Sequence, residues 1–163
     1  MIFILFIAFV ILVRIGELFL SKRNEKWLLK KGAVEYGQNH YPYIVALHTL
    51  FIISMIVEYS TKQIVTYSLI LIFIYFIILV IKARVILSLG KFWNTKIYHI
   101  PNTPLIKKGL YVYFKHPNYM IVIIEIALIP IIFRLYYTAI IFTVLNSIML
   151  IIRIKKENKV LSI

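Results

Sequence analysis

Five stretches of this chain, residues 2–20, 43–59, 63–82, 119–134 and 136–152, are nearly unbroken runs of Ile, Leu, Val, Phe and Tyr. A helix needs about 20 apolar residues to cross a hydrocarbon core of about 30 Å, and in lipid only helices and closed barrels satisfy their own backbone hydrogen bonds. The runs therefore predict an all-α fold, an integral membrane bundle of about five transmembrane helices. The fourth run is short and contains Pro130, which predicts a tilt, a bend or a tight hairpin with the fifth. With 62% hydrophobic residues, the 163-residue chain carries more apolar side chain than one soluble core can cover.

The charges fit the same picture. A net charge of +13 in a soluble protein would suggest nucleic acid as a partner, but these lysines lie between apolar runs rather than on a folded polar face, which excludes that class. Sixteen of the 19 Lys and Arg residues fall in three regions: 21–42, 82–118 and the tail from 153. Cytoplasmic segments collect Lys and Arg, and five spans put all three regions on one side. The N-terminus is then expected outside and the C-terminus in the cytoplasm of a multi-pass cell-membrane protein. Residues 1–20 lack the basic start and small-residue cleavage site of a secretory signal and are expected to remain as a span. Without cysteine there is no disulfide or thiolate site, and His40, His48, His99 and His116 lack zinc-ligand spacing, so no metal is expected.

Polar residues inside a span are costly in lipid and are functional candidates by default. Arg14 and Glu17, three apart, share a helix face. They read either as a structural ion pair or as a polar wall of a substrate chamber, with Gly16 allowing close helix approach. His48 lies inside the second span, where its ring needs a hydrogen-bond partner. It follows a Gly-rich polar loop that re-enters the membrane through Tyr41, Pro42 and Tyr43.

The segment GLYVYFKHPNYM, residues 109–120, opens the fourth run. Pro117 suits the first turn of a helix, so HPNY predicts a helix N-terminus whose free N–H groups favour a carboxylate or phosphate. Tyr111, Tyr113, Phe114 and Tyr119 bring aromatic faces that attract a cation. S-adenosylmethionine carries a carboxylate, a sulfonium cation and a flat ring; an aromatic belt beside a Pro-initiated helix is the plainer reading. At the end of the fifth run, RIKKEN places Arg153 and Glu157 four apart on one face, either fixing the guanidinium or forming an ordinary helix-end pair.

Taken together, GLYVYFKHPNY, a helical hairpin and RIKKEN resemble the isoprenylcysteine carboxyl methyltransferase family, whose C-terminal half carries G-x-Y, R-H-P-x-Y and, after two membrane helices, R-x-x-x-E-E. The similarity spans about residues 85–158 and includes GKFWN at 90–94. The front half resembles the short bacterial branch, which includes enzymes that O-methylate alkylpyrones. The resemblance implies one transmembrane methyltransferase domain, with a three-helix part over 1–84 and a cofactor-binding part over 85–163. It implies that Tyr111, His116, Pro117, Asn118 and Tyr119 bind S-adenosylmethionine at the cytoplasmic face. Arg153 and Glu157 would then be catalytic, and Arg14, Glu17 and His48 would face a lipophilic acceptor arriving from the membrane lipids.

Three positions depart from the family pattern. Lys115 stands for the usual Arg and loses its bidentate fork. Asn158 replaces the second acidic residue, so a mechanism needing two carboxylates is not expected. The aromatic tail of eukaryotic members is missing after Asn158, which disfavours prenylated-protein substrates. The competing classes are a membrane reductase on a related scaffold and a small transport protein; no inverted repeat supports the latter.

Overall fold

A computed structural model of the chain describes residues 1–62 and 66–161. Five helices dominate it: α1 (Ile2–Lys30), α2 (Tyr41–Lys62), α3 (Leu69–Leu89), α4 (Pro117–Ile132) and α5 (Tyr136–Leu161). Four of them are long and apolar enough to cross a membrane, and α4, with 16 residues, is about 24 Å long. Residues 63–65 of the third predicted run lie outside the described residues. Several helices outrun their apolar windows: α1 continues ten residues past 20, and α5 nine past 152. Hydropathy marks the part of a helix that lipid surrounds, whereas Lys, Glu and Leu extend the helix itself into polar surroundings.

Successive helices alternate in direction. One end of the bundle gathers the C-terminal turns of α1, α3 and α5 with most of the lysines; we refer to it as the basic end. The opposite end is packed solid. Phe3 stacks on Tyr59 with centroids 3.8 Å apart, and Phe133 meets Phe3 edge-on at 5.0 Å. Phe6, Met55, Tyr75, Ile129 and Leu135 complete this core. Many large apolar side chains elsewhere point outward, among them Ile4, Leu12, Phe19, Leu69, Phe73 and Ile140. So large an apolar exterior suits lipid rather than water.

Pro130 does not break α4 early; it sits in the last turn and shapes the hairpin. Arg134 adopts φ +57°, Leu135 N–H donates to the Pro130 carbonyl at 3.0 Å, and Arg134 N–H donates to Ile131 at 3.0 Å. This pair of bonds about a left-handed residue is a Schellman ending, and the buried Leu135 supplies its hydrophobic contact. The N-terminus of α5 is capped from a neighbouring helix. Glu58 of α2 accepts from Thr138 N–H at 2.8 Å and Tyr137 N–H at 3.3 Å, and it pairs with Lys62 at 2.7 Å. A carboxylate there satisfies orphan donors and complements the helix dipole.

At the basic end the loops are tied down by α1. Strands β1 (Val34–Tyr36) and β2 (Ile97–His99) pair antiparallel, with Glu35 opposite Tyr98. Tyr98 OH reaches Glu25 at 2.7 Å and Glu35 at 2.9 Å, while Lys96 lies 3.1 Å from Glu25. Burial, followed by the bonds to Glu25 and Glu35, pushes the Tyr98 phenol above its ordinary range. The Lys96 ammonium is also raised: burial opposes this, but the bonds to Glu25 and Glu35 prevail.

Candidate active site

The segment 90–95 is held by two polar side chains of α1. Asn94 Nδ2 donates to the Ser21 carbonyl at 2.9 Å, Ser21 Oγ donates to Asn94 Oδ1 at 2.9 Å, and Asn24 Nδ2 donates to the Trp93 carbonyl at 2.7 Å. Trp93 is thereby fixed with its indole buried. Farther along, Gly109 has φ +58°, and a β-carbon there would collide with Ser88 Oγ on α3. Only glycine fits this turn, which brings Tyr111 against the site. Burial, and after it the Glu157 carboxylate, push the Tyr111 phenol above its ordinary range.

Pro117 opens α4 and is buried, as HPNY predicts. The two motifs that bracket the hairpin meet. Arg153 Nε–H donates to Tyr119 Oη at 2.7 Å, and the Tyr119 hydroxyl in turn donates to Glu157 Oε2. Arg153 lies over the Tyr119 ring with 5.1 Å to the centroid, and His116 stacks on the same tyrosine at 5.4 Å and 15°. His116 Nε2–H donates to Asn158 Oδ1 at 2.8 Å, while its Nδ1 is 3.7 Å from Glu157. Glu157 thus reaches Arg153 through the Tyr119 hydroxyl instead of gripping it directly. Asn158, the departure from the family pattern, holds the imidazole. Among the described residues Arg153 forms no salt bridge, although its guanidinium is buried.

Two cavities adjoin this cluster. A narrow polar pocket of about 90 Å³ at the basic end is bounded by Tyr111, His116 and Glu157, with Lys115 at its edge. A mostly apolar chamber of about 320 Å³ runs into the bundle past Arg14, Glu17, His48 and Asn146. Trp93, Asn118, Tyr119 and Arg153 line both. The shared wall carries two unpartnered buried atoms, Trp93 Nε1 and Asn118 Oδ1. Buried polar atoms are nearly always hydrogen-bonded, so an orphan donor and an orphan acceptor mark this wall as unsatisfied.

Arg14 and Glu17 do form an ion pair, 3.0 Å long, but within a larger set. Glu125 of α4 accepts from Arg14 at 2.9 Å and from Lys82 of α3 at 3.0 Å, and Lys82 also pairs with Glu17. Two cations and two anions close a neutral ring inside the membrane, one side of which is the chamber wall. His48 finds its partner in the Ile44 carbonyl at 2.9 Å. Sequence reasoning missed Lys82, Glu125, Trp93 and Asn146. The first two had a signal, an opposite charge at the edge or middle of each of two successive apolar runs.

The model of the isoprenylcysteine carboxyl methyltransferase (ICMT) family matches residues 68–163. The chain belongs to that family. Its ICMT-matched region contains α3, the polar-pocket loops and both halves of the Tyr119–Arg153 contact, while the Ser21, Asn24, Arg14 and His48 contributions come from outside it. The chain is also 40% identical over 161 residues to the uncharacterized protein YpbQ of Bacillus subtilis (strain 168), covering 98% of this chain and 96% of that one. It is 30% identical over 158 residues to an uncharacterized protein of Haemophilus influenzae (strain Rd), covering 95% and 92%. No solved structure matches the chain significantly. ICMT membership and four helices fit to cross a bilayer make this a multi-pass membrane protein of a methyltransferase family.

Proposed function

We propose that the chain is an S-adenosylmethionine-dependent O-methyltransferase of the cell membrane that methylates a lipophilic acceptor at a carboxylate or an acidic hydroxyl. The observation that carries this reading is the wall shared by the polar pocket and the apolar chamber, holding a buried Arg153 that no carboxylate among the described residues bonds directly. A charge buried without a partner is strongly unfavourable, so Arg153 calls for an anion from the chamber side. An ionised carboxylate, as in an isoprenylcysteine-like acid, or an acidic enol, as in a hydroxypyrone, supplies it.

The cofactor is held by Tyr111, His116, Pro117, Asn118 and Tyr119, and the unpartnered Trp93 Nε1 and Asn118 Oδ1 offer its polar groups a donor and an acceptor. When bound, it supplies an already activated methyl group on a sulfonium. The protein's task is alignment and exclusion of water. Tyr119 fixes the Arg153 side chain at Nε and leaves its two terminal nitrogens for the acceptor oxygen, while Glu157 and Asn158 hold Tyr119 and His116 in place. Glu157 is a positioning residue for an acceptor that arrives ionised, and a base only for one that does not. The acceptor comes sideways from the bilayer. The positive-inside distribution supports a basic end, and with it an active site, at the cytoplasmic face, with the N-terminus outside.

Incubating lipid extracts with the purified protein and deuterated methyl donor, followed by mass spectrometry, tests the assignment and names the acceptor. Binding of S-adenosylhomocysteine but not NADPH is expected; the reverse would identify a reductase.

A further inference from the structure

Two polar side chains in the chamber have no role in the transfer just described. Asn146 of α5 is 2% exposed, lines the chamber, and its Nδ2 has no hydrogen-bond partner. A buried donor left unpaired is costly, and a half-turn of the amide presents it to the chamber, which argues for a guest that relieves it. His48 of α2 lines the same chamber. It donates its Nδ1–H to the Ile44 carbonyl, so Nε2 carries the lone pair, and among the described residues no protein donor bonds it.

The register of two neighbouring helices puts them at the same level of the chamber. In the antiparallel α2–α5 pair, Ser54 Oγ meets Thr138 Oγ1 at 2.9 Å, and one turn on Phe51 meets Phe142 with centroids 5.6 Å apart. A further turn in the same register brings His48 level with Asn146. One acceptor and, once the amide turns, one donor at the same depth of a mostly apolar chamber match a hydroxyl group, which gives its hydrogen to Nε2 and takes one from Nδ2. Asn146 and Arg153 are seven residues apart, two turns along one face of α5, so their axial separation is about 10 Å.

We infer that His48 and Asn146 form a hydroxyl-binding station, and that the preferred acceptor is an amphiphile with a hydroxyl about 10 Å from its methyl-accepting oxygen. The inference rests on the reading of the chamber as the acceptor site. An analogue lacking the hydroxyl leaves both polar atoms unmet, the situation in which a site built for hydrogen bonding rejects a ligand most strongly. Ile11, Ile44, Leu47 and Val122 are apolar lining for the linking chain.

The test uses the purified protein in lipid nanodiscs with S-adenosylhomocysteine present. The probes are octadecanoate, 10-hydroxyoctadecanoate, with its hydroxyl at the matching distance, and 2-hydroxyoctadecanoate, with the hydroxyl misplaced. The 10-hydroxy acid should bind at least about tenfold more tightly than either of the others, and Asn146→Leu and His48→Phe should each reduce that ratio towards one. Equal affinities in the unmodified protein would overturn the station while leaving the acceptor chamber standing, and so would a preference that persists in both variants. If S-adenosylhomocysteine binds but none of the acids does, the chamber reading fails and the station with it. Should a variant not fold, the comparison of acids on the unmodified protein still decides.

Discussion

Arg153 and Tyr119 lie 34 positions apart and on opposite arms of the α4–α5 hairpin, yet the guanidinium Nε–H rests 2.7 Å from the phenol oxygen. The contact ties the two arms of the hairpin together, because a residue in the first turn of α4 sets the pose of the cation on α5.

Arg153→Lys should keep the charge and lose the Nε–H that Tyr119 receives, along with the planar fork. A charged hydrogen bond is worth about 1.5–3 kcal/mol, so turnover should fall at least about tenfold. Radiolabelled methyl transfer measures the loss, and an unchanged melting temperature in detergent separates it from misfolding. Near-normal activity would remove Arg153 from the mechanism.

Tyr119→Phe should leave the ring contacts to His116 and Arg153 in place and delete only the hydroxyl that joins Arg153 Nε–H to Glu157. The expected outcome is a drop in kcat larger than any rise in the KM for S-adenosylmethionine, since the missing group positions Arg153 rather than the nucleoside. Steady-state kinetics with both substrates varied resolves the two parameters.

Lys82→Met should destabilise the bundle by about 3–5 kcal/mol, because it strips one cation from a buried ring and leaves an uncompensated carboxylate. Lys82→Met combined with Glu125→Gln restores neutrality with Arg14 and Glu17 still paired, and should recover much of the loss. Thermal unfolding of the two single variants and the double variant gives the coupling energy; strict additivity would contradict a shared ring.

The sequence made part of this site legible, for physical reasons. HPNY and RIKKEN each cluster several chemically specific residues within one or two helical turns, so their chemistry can be inferred without knowing the fold. Glu125 is different: one carboxylate in an apolar run has no partner in sequence, and its two cations come from α1 and α3. Trp93 likewise owes its place to Ser21 and Asn24, about 70 residues earlier. The five-helix bundle could be read from apolar length alone, whereas the polar ends of α1 and α5 could not, since lipid does not surround them.

Arg134→Gly should be neutral or stabilise by up to about 1 kcal/mol, because glycine adopts the left-handed C′ conformation without a Cβ penalty. Arg134→Val should destabilise, as a β-branched residue resists positive φ. Detergent melting curves compare the two.

Alkaline conditions should weaken the basic end. Tyr98 and Lys96 hold their protons more tightly in the folded state, so their contribution is complete below the ordinary values of about 10 and is lost as pH rises through the elevated folded ones. Tyr98→Phe should flatten the fall in melting temperature above about pH 10.

The neutral ring also bears on how the protein is made. Arg14 and Glu17 cancel within one helix, which lowers the cost of placing α1 alone in lipid. Lys82 and Glu125 have no such local companion: Lys82 meets its carboxylates on α1 and α4, and Glu125 its cations on α1 and α3. The ring therefore reports on assembly: its four charges come from three separate spans and balance only when α1, α3 and α4 are packed together.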